Sequence, residues 1–235
     1  MDNTTLKAGQ YSALAVAVLT FATFGAAMLA VPPAGPYCPG DCMEYPFLDI
    51  IKYYPRDYIW MYLGVFQLGG FLFYAVANHF NAPNHRQVFS FTGVAFAVIA
   101  STVLLIAYWV QFAVVPKSVM NAEHDGIAVL TQYNGHGIFI ALEELGFVAM
   151  SLSLFCLAPC VSPEDRLGKI IRLLFRLPVV LMLLAFVAYA ARFGLDREYR
   201  FEVAAISINW LALIILGILQ SIQFRKRSRQ VPGDW

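Results

Sequence analysis

Six apolar stretches, each about as long as a helix needs to cross the hydrocarbon of a bilayer, occupy most of the 235 residues. A transmembrane helix takes roughly 20 predominantly apolar residues. The stretches run near 11–31, 58–79, 88–115, 136–157, 170–191 and 201–224. Barrel strands would be about 10 residues long and would alternate apolar with polar side chains, which these runs do not. Apolar residues make up 60% of the chain and charged residues 13%, with a mean hydropathy of +0.64. That leaves too few polar side chains to cover a water-soluble domain of this size. The sequence therefore predicts an all-α polytopic membrane protein, a six-transmembrane-helix bundle forming one unit over 1–235. The first run lacks the strongly basic start of a cleavable signal and five more runs follow it, so it reads as a retained first span.

Charge sets the expected orientation. Six crossings place both termini on one side together with the second and fourth loops. Ten of the sixteen Lys and Arg fall there, including the Arg225-Lys226-Arg227 run after the last span, against six on the other side. The positive-inside rule then predicts cytoplasmic termini and a multi-pass protein of the cell membrane. The basic run suits a stop-transfer anchor touching anionic lipid better than a nucleic-acid contact. Asp41, Glu44, Asp49, Asp57, Glu123, Asp125, Asp196, Glu198 and Glu202 all read as outer-side acids. An acidic outer mouth favours a cation or a neutral ligand over an anion. The two long loops, near 32–57 and 116–135, lie on that side, and long ordered loops tend to be functional.

Glu143-Glu144 stands out within the fourth span. An ionised carboxylate at mid-bilayer depth costs several kcal/mol unless paired or hydrated, so such acids face a bundle interior or a wet cavity. His136 lies seven residues, two helical turns, before Glu143, so the two are expected to share a face; Glu144 points about 100° away. Groups at matching depth supply a candidate ligand-binding pocket: Gln67, Tyr108, Gln111, Asn134, His136, Arg192 and Asn209 around Glu143 and Glu144, with Arg56, Asp57, Asp196, Arg197 and Glu198 as a rim. Asp57, Asp196 and Glu198 also suit helix N-termini, where free N–H groups favour negative charge.

Cys38 and Cys42, in Cys-Pro-Gly-Asp-Cys, can close a small disulfide across a Pro-Gly turn if the outer side is oxidising. Cys156 and Cys160 fall at the opposite end of the fourth span, too far away for a thiol relay with that pair. The four histidines offer no two at equal depth on facing helices, as a bis-histidine haem would need. Glu123, His124 and Asp125 are consecutive, so their side chains fan apart, and no metal site is expected.

The runs Pro55–Tyr62 (PRDYIWMY), Thr131–Gly146 (TQYNGHGIFIALEELG) and Gly194–Val203 with Ile206–Trp210 (GLDREYRFEV, ISINW) resemble stretches that recur in a family of uncharacterised prokaryotic six-helix integral membrane proteins. The resemblance extends from the first outer loop to the sixth helix. It implies the same six-helix fold and carries no activity or catalytic residue with it.

Three classes of function fit these residues. The first is a small-molecule or ion-binding or transport protein with an outward-facing polar pocket on Glu143 and Glu144. The second is an intramembrane enzyme acting on a lipid or amphiphile, with one acid as general base and His136 as its partner. The third is a structural subunit whose polar core only orients helices. There is no phosphate-cradling glycine loop, nucleophile elbow or His-Glu-x-x-His signature. The expected partners are the lipid bilayer and a small-molecule, ion or lipid ligand, with no cofactor and no nucleic acid; the number of copies stays open.

Overall fold

The computed structural model describes residues 3–30 and 33–230, apart from the side chain of Glu198. Among the described residues the chain is helical, with no strand. Eight α-helices follow in order: α1 Asn3–Leu29, α2 Ile59–Phe80, α3 Gln87–Ala113, α4 Val115–Met120, α5 Ile127–Leu130, α6 Ile138–Leu157, α7 Arg166–Phe193 and α8 Glu198–Ser228. Six of them, all but α4 and α5, are long and apolar enough to cross a membrane.

Local chemistry explains where these helices begin and end. α3 stops at Val114, and Pro116, which has no N–H to donate, occupies the first turn of α4 instead of prolonging the span. α7 opens on Asp165, whose side chain accepts from the Gly168 N–H at 2.7 Å, so the helix starts four residues before its expected apolar run. Gly168 itself lies so close to the Ser162 carbonyl that a Cβ there would come within 2.0 Å of it. α6 starts at Ile138, because Gly137 is extended (φ −78°, ψ 164°). His136 therefore precedes the helix, and the two-turn register expected between His136 and Glu143 does not hold. Val31, the end of the expected first span, lies outside the described residues.

The six long helices pack as a ring in the order α1, α2, α3, α6, α7, α8, closed by α1 against α8, and α6 also touches α8 and α2 across it. Small residues set the closest approaches. A Cβ on Gly146 of α6 would meet Leu104 of α3 at 2.5 Å, and one on Gly217 of α8 would meet the Ala13 carbonyl of α1 at 2.5 Å. α6 is the most enclosed helix, with 56% of its span buried, whereas α7 is the most peripheral at 22%. The outer face of α7 presents Leu173, Leu177, Val180, Leu183, Leu184 and Val187. A continuous apolar face of this size is incompatible with water and suits lipid.

The two ends of the bundle differ. One end, the terminal end, carries Asn3 at the start of α1, Ser228 at the end of α8 and the short connections α2–α3 and α6–α7. The other, the long-loop end, is covered by residues 33–58, by α4 and by α5. The first loop is folded down onto the bundle: the Met43 N–H donates to the Pro33 carbonyl at 2.6 Å, and Ile50 and Tyr58 are fully buried. A disulfide joins Cys38 to Cys42 within it.

Candidate functional site

One buried stripe of α6 runs through Phe139, Ile140, Glu143, Gly146, Phe147, Met150 and Leu154. This three-to-four spacing keeps one face of a helix against its neighbours. It carries Glu143 to the centre of the bundle, and both of its carboxylate oxygens are buried without a hydrogen-bond partner. α8 has its own inward stripe, Phe201, Glu202, Ala205, Asn209, Leu213, Leu216 and Gln220, which turns Glu202 toward α6. The two carboxyl groups are neighbours, and the Tyr108 hydroxyl of α3 lies beside Glu143.

These acids line a cavity of about 290 Å³ at the long-loop end of the bundle. That is close to the lower end of the size range of small-molecule pockets, roughly 300–1,000 Å³. Its wall is assembled from α1 (Phe24, Ala27, Met28), the first loop (Tyr37), α2 and its lead-in turn (Asp57, Trp60), the 131–137 segment (Gln132, Tyr133), α6 and α8. No lysine, arginine or histidine is among the lining residues. Two further polar atoms of the wall, Trp210 Nε1 and Gln132 Nε2, are buried with no partner among the described residues. A buried polar atom left unpaired ordinarily costs about 1–3 kcal/mol, and four such atoms surround this one void.

Asp57 is also buried in this wall, but it is compensated. Its Oδ1 accepts from Arg56 Nε at 2.6 Å and its Oδ2 from the Tyr133 hydroxyl at 3.4 Å. Burial pushes the Tyr133 phenol well above its ordinary range, so it remains a proton donor to the carboxylate. No side-chain cap forms at the start of α2, so the expected capping role of Asp57 gives way to this inward contact. Tyr37, whose ring lies tilted at 41° to that of Tyr199 with centroids 6.0 Å apart, also has its phenol raised by burial first and by Tyr189 second.

The other expected site residues are dispersed. Glu144 turns away from the cavity toward Arg197, whose Nη1 lies 3.6 Å from its Oε2. Gln67 donates to Thr20 Oγ1 at 3.3 Å and ties α2 to α1. Gln111 donates to the Leu130 carbonyl at 2.7 Å and accepts from the Gln132 N–H at 2.9 Å, which fixes the 130–132 turn. Asn134 donates to the Ala128 carbonyl at 2.6 Å and accepts from the His136 N–H. Asn209 accepts from Ser151 and ties α8 to α6. His136 is exposed, and exposed Arg192 stacks on Phe193 at 5.3 Å. Asp196 is exposed in the turn before α8, and the side chain of Glu198 lies outside the described residues. Tyr108 abuts Trp60 and Phe139, whose rings form part of the wall.

Sequence reasoning missed Glu202, Trp60, Tyr133 and Tyr199 as cavity residues. Glu202 had a readable signal: 202, 205, 209, 213, 216 and 220 fall at helical spacing, so this acid at the start of the expected sixth span shares the stripe that the rest of the span turns inward. Against protein-family models, curated proteins and solved structures, the chain matches none.

Proposed function

We propose that this chain is a ligand-binding membrane protein, built to take up a small molecule or ion in a cavity whose acidic pair is Glu143 and Glu202. The carrying observation is that two buried carboxyl groups from different helices share one void that no basic side chain lines. In a low-dielectric interior two carboxylates side by side repel strongly. Their charge must be met by a proton, or by a guest that replaces it. Alternation between the two is the exchange a coupled transporter uses, and it makes transport the favoured form of this reading. The excess of basic residues at the terminal end supports cytoplasmic termini in a cell membrane, so that the cavity opens outward. The resemblance to prokaryotic six-helix membrane proteins is part of the same proposal.

The test is a melting-temperature screen of the purified protein in lipid nanodiscs against inorganic cations, organic cations and neutral amphiphiles. At least one class is expected to stabilise the protein, and the Glu143→Gln/Glu202→Gln variant is expected to lose that stabilisation. The reading is overturned if no class shifts the melting temperature, or if the variant responds like the parent.

A further inference from the structure

The acids are only part of the wall. Seven aromatic side chains, Tyr37 of the first loop and Phe24, Trp60, Tyr133, Phe139, Tyr199 and Trp210, line the same cavity. Some of them meet at steep angles: Phe24 to Trp210 at 5.7 Å and 72°, Trp60 to Trp210 at 6.1 Å and 65°. Rings set nearly perpendicular to one another form the corners of a box, which can turn more than one electron-rich face toward its contents. Such a box attracts an organic cation by cation–π interaction, strongly so when desolvated. The unbalanced carboxyls Glu143 and Glu202 act in the same direction.

A metal ion fits this wall poorly. Hard cations take six or more oxygen ligands. Here most of the surface is aromatic and aliphatic carbon, and among the described residues no group of three or more His, Cys, Asp or Glu side chains is placed to hold a metal. An anionic or phosphate-bearing guest fits no better, because no basic side chain lines the cavity to receive it.

The guest also has somewhere to put an apolar portion. From the acids, the wall continues along Ala27 and Met28 of α1 and Val203 and Ile206 of α8. Met28 is 72% exposed and Val203 38% exposed, so this side of the cavity reaches the lipid-facing surface between the long-loop ends of α1 and α8.

We infer that the cavity is built for an amphipathic ammonium ion carrying no anionic group, with its nitrogen seated between Glu143, Glu202 and the aromatic rings and its apolar part lying between α1 and α8. The inference rests on the ligand-binding reading above and names the class of ligand.

The experiment titrates the nanodisc-embedded protein calorimetrically with four probes: hexyltrimethylammonium, tetramethylammonium, hexylphosphocholine and heptanol. Hexyltrimethylammonium is expected to bind about tenfold or more tightly than each of the others, which lack the tail, add a phosphate or lack the charge. Glu143→Gln and Glu202→Gln are each expected to weaken it by about tenfold. Met28→Trp, a change at a lipid-exposed position that leaves the core untouched, is expected to weaken hexyltrimethylammonium while sparing tetramethylammonium. Equal binding of heptanol or hexylphosphocholine overturns the inference and leaves the ligand-binding reading standing. So does an unchanged affinity in both the acid variants and Met28→Trp, and so does silence of all four probes when the broad screen yields a stabilising compound of another class. Silence in both experiments removes the reading beneath it as well.

Discussion

At the terminal end of the bundle, Tyr74, Asn78 and Gln220 are buried between α2 and α8 and consume one another's hydrogen-bonding capacity. The Tyr74 hydroxyl donates to the Gln220 amide oxygen, the Asn78 amide donates to the same oxygen at 3.3 Å, and the Gln220 amide returns a bond to Asn78 at 2.9 Å. The void beside them is about 10 Å³, too small for a guest. At the long-loop end, Glu143, Glu202, Trp210 and Gln132 surround about 290 Å³, and four of their polar atoms have no partner. Both clusters are deep and polar. The first is neutral and closed, which is what helix association asks of polar side chains. The second is acidic and open, and no packing argument accounts for it. Burial of polarity alone therefore does not distinguish the two ends; a missing partner and adjoining space do, and they are what the proposed site rests on.

The largest expected effect falls at the open cluster. Glu143→Gln/Glu202→Gln should reduce affinity for the stabilising ligand by about 100-fold, read by calorimetry. Stability without ligand should hold or rise, because a repelling pair has been replaced by amides. A variant that melts much lower without ligand would move this pair into the same structural category as the terminal cluster. The reverse pattern is expected from Gln220→Leu. Leaving the Tyr74 hydroxyl and the Asn78 amide without their partner should destabilise the bundle by about 1–2 kcal/mol, measured by reversible unfolding in mixed micelles. Ligand affinity should stay within about twofold, since the two clusters are far apart and share no partner. Asp57→Asn lies between these. It removes the charge that holds Arg56 and accepts from Tyr133, and should weaken ligand by about fivefold with a modest loss of stability.

The fold was legible because bilayer thickness is written directly into sequence: each apolar run became one crossing helix, displaced at its ends by a few residues where Asp165, Gly137 or Pro116 decides the boundary. Glu143 was legible for the same reason, since depth can be counted. Partnership could not be counted. Gln111 and Asn134 have the right depth and chemistry for a pocket, yet both are spent on backbone groups of the 128–136 segment, whose path a linear reading cannot supply. Glu202 read as an outer-side acid because it stands at the very start of the sixth apolar run, whereas the helix begins at Glu198 and turns this acid inward. Nothing in the linear order joins Trp60, Tyr133 and Tyr199, and only the folding of the first loop and the 131–137 segment over the bundle brings them to one wall.

The smallest effect should come from the acid next door to the most important one. Glu144 follows Glu143 in the chain, but a single residue turns a helix by about 100°, and this carries Glu144 out of the cavity to a partly exposed pairing with Arg197 at 3.6 Å. Arg197 is held in addition by the Phe186 ring, 4.8 Å from its guanidinium. An ion pair with access to solvent or headgroups contributes below about 1 kcal/mol, so Glu144→Gln should lower stability by no more than that. It should also leave ligand affinity within about twofold, because the charge it removes is already balanced outside the void. Set beside Glu143→Gln in the same titration, the pair forms an internal control with identical chemistry and near-identical depth. If Glu144→Gln weakens ligand as strongly as Glu143→Gln does, the decisive property is total acidity at that depth, and the distinction between paired and unpaired carboxyls fails.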